Sequence, residues 1–306
     1  MSTRNHRTDR RPPRARRRPA RGAGGAVLAL VLSLGVAACA QPSTASPDED
    51  KHVRILFATN ADFAIPVIEE KLEAKGYDVD ATTITDFQAA SDAIEYGDAD
   101  FHVGTHTVYL LSQTEKTGAD VVPAFYTALA PAGFYSTRID DLADLPDGAT
   151  VGIPNEPSNV GRALTILEQA GLIELGPTPS SVYTSVKDVV ANPKDLDFRE
   201  LDATLIAKTL DDLDIGFLYS SGAKNNGFKP GTDALALDDI DASRPYTIIA
   251  ATRPELLDSQ VRRDLQEAYH SEEYRKADQD FNGGIGFYPW EHDPTEDIAT
   301  WKLEDE

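Results

Sequence analysis

Val151-Gly152-Ile153-Pro154-Asn155-Glu156-Pro157-Ser158-Asn159-Val160-Gly161-Arg162-Ala163-Leu164 decides how this chain is read. It opens as a short apolar strand, passes through a proline-punctuated loop, and ends as a helix start with Ser158 or Asn159 as candidate N-cap. Val160, Ala163, Leu164 and Leu167 fall at i, i+3, i+4 and i+7, one apolar stripe of an amphipathic helix running to Ala170. Arg162 lies off that stripe in the expected first turn. A cation there opposes the helix macrodipole at about 0.3–1 kcal/mol unless an anion sits beside it. The carboxyl end of a strand, free helix N–H groups and a guanidinium together make a receptor for a carboxylate. The same residues also fit a solvated arginine, or one paired with Glu156.

Upstream, Val53–Ala58 reads as a buried strand and Phe63–Lys75 as a helix ended by Gly76. Asp78–Thr83 is a strand, Phe87–Tyr96 a helix stopped by Gly97, and Asp100–Gly104 strand-like. This βαβαβ rhythm predicts a mostly parallel sheet with helices on both faces. Two further strands follow, near Asp120–Val122 and Gly133–Ser136. The rhythm then restarts, with strands at Thr150–Ile153, Phe198–Leu201, Ile215–Tyr219 and Tyr246–Ala251, and helices at Val160–Ala170, Thr204–Leu210 and from about Leu256 to Phe281. Two α/β lobes of about 100 residues each fit the length. No internal repeat of solenoid period is visible.

The chain carries 29 basic and 51 acidic side chains, a formal net charge of -22. Nine Arg and one Asp fall within residues 1–38, so beyond Ala38 there remain 20 basic and 50 acidic groups, a net charge of -30. A surface this acidic repels nucleic acid and anionic headgroups. The single Cys, Cys39, excludes an internal disulfide and a cysteine metal cage. Ahead of it, a polar, Arg-rich segment is followed by a short apolar run from Ala26 to Ala38. That is the pattern of a secretory signal, and it is shorter than the roughly 20 residues a membrane span needs. Val36-Ala37-Ala38-Cys39 resembles a bacterial lipobox, which implies cleavage before Cys39, acylation of its thiol, and a lipid-anchored protein on the extracytoplasmic face of the cell membrane. The small, polar stretch from Ala40 to Asp50 is expected to be a flexible tether.

A second cluster is His102-Val103-Gly104-Thr105-His106-Thr107-Val108-Tyr109. Two His four apart bind metal well on a helix, but here they fall on a strand that Gly104 interrupts. An aromatic and imidazole wall for a ligand, or ordinary packing and capping, fits them better, and no metal or cofactor is expected. Nor is an enzyme: a Gly-x-Ser-x-Gly elbow, a phosphate loop and a dinucleotide fingerprint are all missing. Asp140-Asp141, Asp211-Asp212 and Asp238-Asp239 are expected to be solvated loop charges. Trp290 and Trp301 stand far from the expected cleft, against an aromatic cage for an onium ligand.

Four stretches together resemble the NlpA family, methionine-binding lipoproteins of ABC importers. They are the lipobox at Cys39; Thr85-Asp86-Phe87 through Gly97-Asp98-Ala99-Asp100 to His106 and Tyr109; Ile153–Leu164; and Asn192-Pro193-Lys194 to Leu210-Asp211-Asp212-Leu213-Asp214. Arg244-Pro245-Tyr246 leading into Ile248-Ile249-Ala250 is a weaker fifth. The resemblance implies an α/β, two-lobe periplasmic-binding-protein type II fold, each lobe a mixed, mostly parallel sheet flanked by helices. Its expected segments are a signal peptide over 1–38, acylated Cys and tether over 39–52, lobe 1 over 53–145, lobe 2 over 146–245, a return to lobe 1 over 246–290, and an acidic tail over 291–306. It implies a monomeric solute-binding protein that takes an amino acid such as methionine into the inter-lobe cleft and delivers it to a permease and its ATPase. Arg162 would clamp the ligand carboxylate with Asn159 beside it; Phe87, His106 and Tyr109 would line the side-chain pocket; Asn155 and Ser221 complete the candidate site. The chain departs from the family where Gly104 replaces an aromatic, Ser221-Gly222 an Asn-Tyr pair, and Ile248 an Asn. Those asparagines meet the polar ends of the amino acid, so the carboxylate receptor is expected to survive in this chain while its ligand is open to differ from methionine, and a surface lipoprotein of the same fold with another ligand or none, or a metal-binding protein, is the alternative.

Overall fold

The computed structural model describes residues 47–177 and 184–298. The signal segment, Cys39, and Trp301 lie outside the described residues, as does most of the expected tether. The strand β1 (His52–Ala58) turns Val53, Ile55 and Phe57 inward and leaves Arg54 and Leu56 half-buried, the two-residue period of a pleated strand. With β2 (Asp78–Ile84), β3 (Phe101–His106), β4 (Val122–Tyr126) and β12 (Ile248–Thr252) it builds a sheet of order β2-β1-β3-β12-β4. β1 pairs in parallel with β2 and β3, and β12 runs antiparallel to both β3 and β4. All strands but β12 therefore point one way. Ile68 and Leu72 of α2 (Ile65–Glu73) and Val261 and Leu265 of α9 (Gln260–Tyr269) cover one face. Ile94 of α3 (Phe87–Glu95) and Leu110 of α4 (Thr107–Thr117) cover the other.

The second sheet has the order β11-β5-β10-β6-β9, from β5 (Ala132–Tyr135), β6 (Thr150–Pro154), β9 (Asp197–Leu201), β10 (Ile215–Tyr219) and β11 (Ala236–Leu237). Here β5 is the strand opposed to the rest. A two-stranded ladder, β7 (Glu174–Leu175) with β8 (Val189–Ala191), lies outside it. Val160, Ala163, Leu164 and Leu167 of α5 (Pro157–Gln169) seal one face against Val151, Ile153, Ile215 and Phe217. On the other, Ile206 of α6 (Ala203–Lys208) packs with Leu210, Leu213 and Leu218. α7 (Ser220–Asn225) follows β10, and α8 (Ile240–Ser243) follows β11.

The chain passes between the sheets twice, after β4 and after β11. The two crossings lie side by side: Thr127 N donates to Ile248 O at 2.8 Å and Ile248 N to Ala128 O at 3.0 Å. The first crossing comes earlier than the expected boundary at 145, because Phe134 of β5 packs edge-on against Phe217 in the second core. Folded structure also starts before Val53. The short helix α1 (Pro47–Asp50) carries Asp48, whose carboxylate accepts from Gln260 N and Val261 N, both at 2.7 Å, at the start of α9. Nor does it stop at Trp290. That ring stacks on His270 with centroids 4.7 Å apart, while Asp297 accepts from Tyr126 Oη at 3.0 Å and pairs with Arg244 at 3.2 Å. The helices expected from about Leu256 to Phe281 are α9 and α10 (Glu272–Phe281), capped by Ser259 and Ser271.

Candidate functional site

Helix α5 starts at Pro157 with Glu156 as its N-cap, two or three residues before the expected caps. Proline suits the first helical position because its missing N–H is unneeded there. Ser158 and Asn159 thus lie within the first turn and Arg162 in the second, beyond the reach of the expected macrodipole penalty. The helix is buried nearly all round, from Ser158 through Leu164, because it lies between the second sheet and α4 of the first lobe. β6 approaches its neighbours closely where Gly152 is bare: a Cβ there would sit 2.5 Å from Leu213 Cδ1.

Arg162 is 3 % exposed. Its Nη2 donates to Ala130 O in the first crossing at 3.0 Å and to Asp238 Oδ2, and its Nε reaches Asp238 Oδ1 at 3.4 Å. The guanidinium also lies over two rings, 5.2 Å from the centroid of Tyr246 and 5.8 Å from that of Tyr219. Burial pulls the guanidinium pKa down, but the Asp238 charge and hydrogen bonds prevail and leave it raised. The partner is therefore Asp238, not Glu156 and not solvent. Asp238, expected among the solvated pairs, is buried and satisfied: it also accepts from Ala132 N at 2.8 Å and Ser243 Oγ at 2.9 Å. No hydrogen bond from Arg162 Nη1 to a described residue accompanies these.

The opposing wall comes from the first lobe. His106 ends β3 and caps α4, its Nδ1 accepting from Tyr109 N at 3.2 Å. Its ring meets Tyr246 at 5.4 Å and Tyr109 at 6.3 Å, and Tyr109 meets Phe87 at 5.4 Å. Burial first, then the Arg162 charge, push the His106 imidazole down to about 3, against an opposing pull from the Asn159 side chain across the cleft. His102 stands behind Phe87, ring edge to face at 5.6 Å, and burial pushes it down to about 4. Among the described residues no cluster of three or more His, Cys, Asp or Glu can hold a metal ion. Gly104 has φ +122°, and a Cβ there would lie 2.3 Å from that of Ala58.

Phe87, His106, Tyr109, Asn159 and Arg162 are thus brought together. Asn155 is exposed and Ser221 half-buried, and neither has a hydrogen bond or ring contact with this cluster. Tyr219, Tyr246 and Asp238 join the site without having been candidates. Several buried polar atoms here have no hydrogen-bond partner among the described residues: Glu156 Oε2, Ser158 Oγ, Asn159 Oδ1 and Tyr246 Oη. Buried polar groups are ordinarily paired, so a cleft lined with unpaired ones is shaped for a polar guest.

Two mixed sheets joined by paired crossings, with polar and aromatic groups converging between them, define the two-lobe α/β fold of periplasmic solute-binding proteins. The chain belongs to the NlpA lipoprotein family, whose model matches residues 52–286. It is 32 % identical over 264 residues to the D-methionine-binding lipoprotein MetQ of Escherichia coli, spanning 85 % of this chain and 95 % of that one. Among solved structures, a YaeC-family lipoprotein of Enterococcus faecalis superposes with a TM-score of 0.71 at 30 % identity, covering 78 % of this chain and 99 % of that one. A nutrient-binding protein of Burkholderia cenocepacia, bound to methionine, superposes with a TM-score of 0.70 at 30 % identity, covering 77 % and 98 %.

Proposed function

We propose that this chain is a lipid-anchored, extracytoplasmic solute-binding protein of an ABC importer that takes an amino acid of the methionine class in its inter-lobe cleft. The observation that carries the reading is Arg162: a buried guanidinium at the meeting of both lobes and both crossings, with one donor still unpaired. A ligand carboxylate would take Arg162 Nη1, with Asn159 alongside, and the ligand side chain would lie on Phe87, Tyr109 and His106. Contacts from both lobes exist only when the lobes are together, so the ligand selects the closed form. Closure about the paired crossings would then present a surface to a permease and its ATPase. The protein works as a monomer, tethered through acylated Cys39, and turns nothing over.

Mass spectrometry of small molecules released from protein purified out of its native membrane tests this reading. An amino acid, methionine above all, is the expected release. A metal ion, or a solute without a carboxylate, would contradict it.

A further inference from the structure

The charges of the cleft do not balance. Arg162 and Asp238 neutralise one another, and burial keeps His106 uncharged near neutral pH. What remains is the carboxylate of Glu156. It is not ion-paired with any described residue, and its Oε2 is buried without a hydrogen-bond partner. A buried carboxylate oxygen left unpaired is costly, and it is retained most readily where an incoming group supplies the donor.

Glu156 stands at the start of the helix that carries Asn159 and Arg162. Glu156 is the N-cap of α5, and its backbone oxygen accepts from Asn159 N and Val160 N, both at 2.9 Å. Glu156 and Asn159, three apart, therefore share a helix face. Asn159 Oδ1 and the intervening Ser158 Oγ are also buried without a hydrogen-bond partner, so one helical turn presents two acceptors, Glu156 Oε2 and Asn159 Oδ1, beside a hydroxyl that can donate or accept. Glu156 is felt on both sides: its charge helps to raise the hydroxyl pKa of Tyr109 in the first lobe, after burial and Asp86, and that of Tyr219 in the second. Burial, with a smaller contribution from Asp202, pushes the Glu156 carboxyl itself up. Asp86, Glu156 and Asp202 make this end of the cleft acidic, opposite in sign to what a bare carboxylate receptor needs.

We infer that Glu156 selects for a ligand bearing a primary ammonium group, which its Oε2 receives together with Asn159 Oδ1 while the ligand carboxylate lies at Arg162 Nη1. Ser221-Gly222 and Ile248 carry no amide where the family resemblance puts asparagines, and Ile248 is packed into the first core with its N–H given to Ala128 O. Glu156 supplies an acceptor that those positions do not. The inference rests on the amino-acid reading of the cleft and assigns the group that tells an amino acid from a plain carboxylic acid.

Titration calorimetry of the mature chain with D- and L-methionine and with their desamino analogue, 4-(methylthio)butanoate, separates the possibilities. The wild type should favour methionine by about tenfold or more, the scale of one lost hydrogen bond to a charged group. Glu156→Gln, the same shape without the charge, should remove most of that preference by weakening methionine while leaving the desamino acid unchanged; a thermal melt shows that the variant is folded. If the wild type binds both compounds equally, or Glu156→Gln keeps the preference, the selector role is overturned while the carboxylate receptor stands. If the wild type binds neither, the amino-acid reading falls and this inference with it.

Discussion

Arg162 of α5 and Asp238 just after β11 form a buried ion pair that ties the first crossing to the second lobe: the guanidinium donates to Ala130 O in that crossing, while the carboxylate accepts from Ala132 N where the crossing enters the second sheet. One pair thus fixes both the guanidinium proposed to receive the ligand carboxylate and the strand ends at the crossings between the lobes. Its partners are what make a buried charge tolerable, since an isolated one would be strongly disfavoured.

Removing one member should therefore cost more than the pair contributes. Asp238→Asn leaves a buried guanidinium uncompensated and should lower unfolding stability by about 3–5 kcal/mol, read from urea denaturation at pH 7. A loss below 1 kcal/mol would mean that solvent reaches the pair.

His106 sets an acid limit. Its folded pKa of about 3 lies below the unfolded value of about 6.5. Between those values the unfolded chain binds more protons, so this contribution is complete above about pH 6.5 and is lost as pH falls, by up to about 1.4 kcal/mol per unit. His106→Asn keeps a capping acceptor for α4 without titrating. Stability measured from pH 7 to pH 4 should fall more steeply in the wild type than in this variant, by about one proton; His102 and His270, also pushed down by burial, contribute to the slope that remains.

Much of the fold was legible because burial imposes regular periods. The inward triplet Val53, Ile55 and Phe57 marked β1, and the stripe from Val160 to Leu167 marked α5. Helix α4 was not legible: its Thr and Val residues and weak amphipathicity give no clear 3.6-residue signal, and its start depends on a His106 cap that periodicity does not reveal. The site was half-legible. An arginine just inside a helix announced itself, but its counter-ion did not, because Asp238 is one of 51 acidic residues and only folding distinguishes it from the solvated ones. Nor could spacing find Tyr219 and Tyr246, which reach Arg162 from a strand end and from the second crossing.

Gly104 is a test of close packing. At φ +122°, with Ala58 Cβ 2.3 Å from any added Cβ, Gly104→Ala should destabilise by roughly 1–3 kcal/mol, seen as a lowered melting temperature. An aromatic there, as the family resemblance would put it, requires β1 and β3 to move apart.

The segment after Trp290 should contribute to the fold rather than trail from it. Asp297→Ala removes the acceptor for Tyr126 Oη and the partner of Arg244, and should cost about 1 kcal/mol by thermal denaturation. No change in melting temperature would return that segment to the status of a tail.

The most direct measurement is calorimetric titration of methionine into the mature wild-type chain and into Arg162→Lys, which keeps a charge for Asp238 but loses the forked donor. Saturable one-to-one binding by the wild type, weakened about tenfold or more in the variant, is the predicted result. Equal affinity in both, or no heat from the wild type with methionine of either hand, would contradict the account.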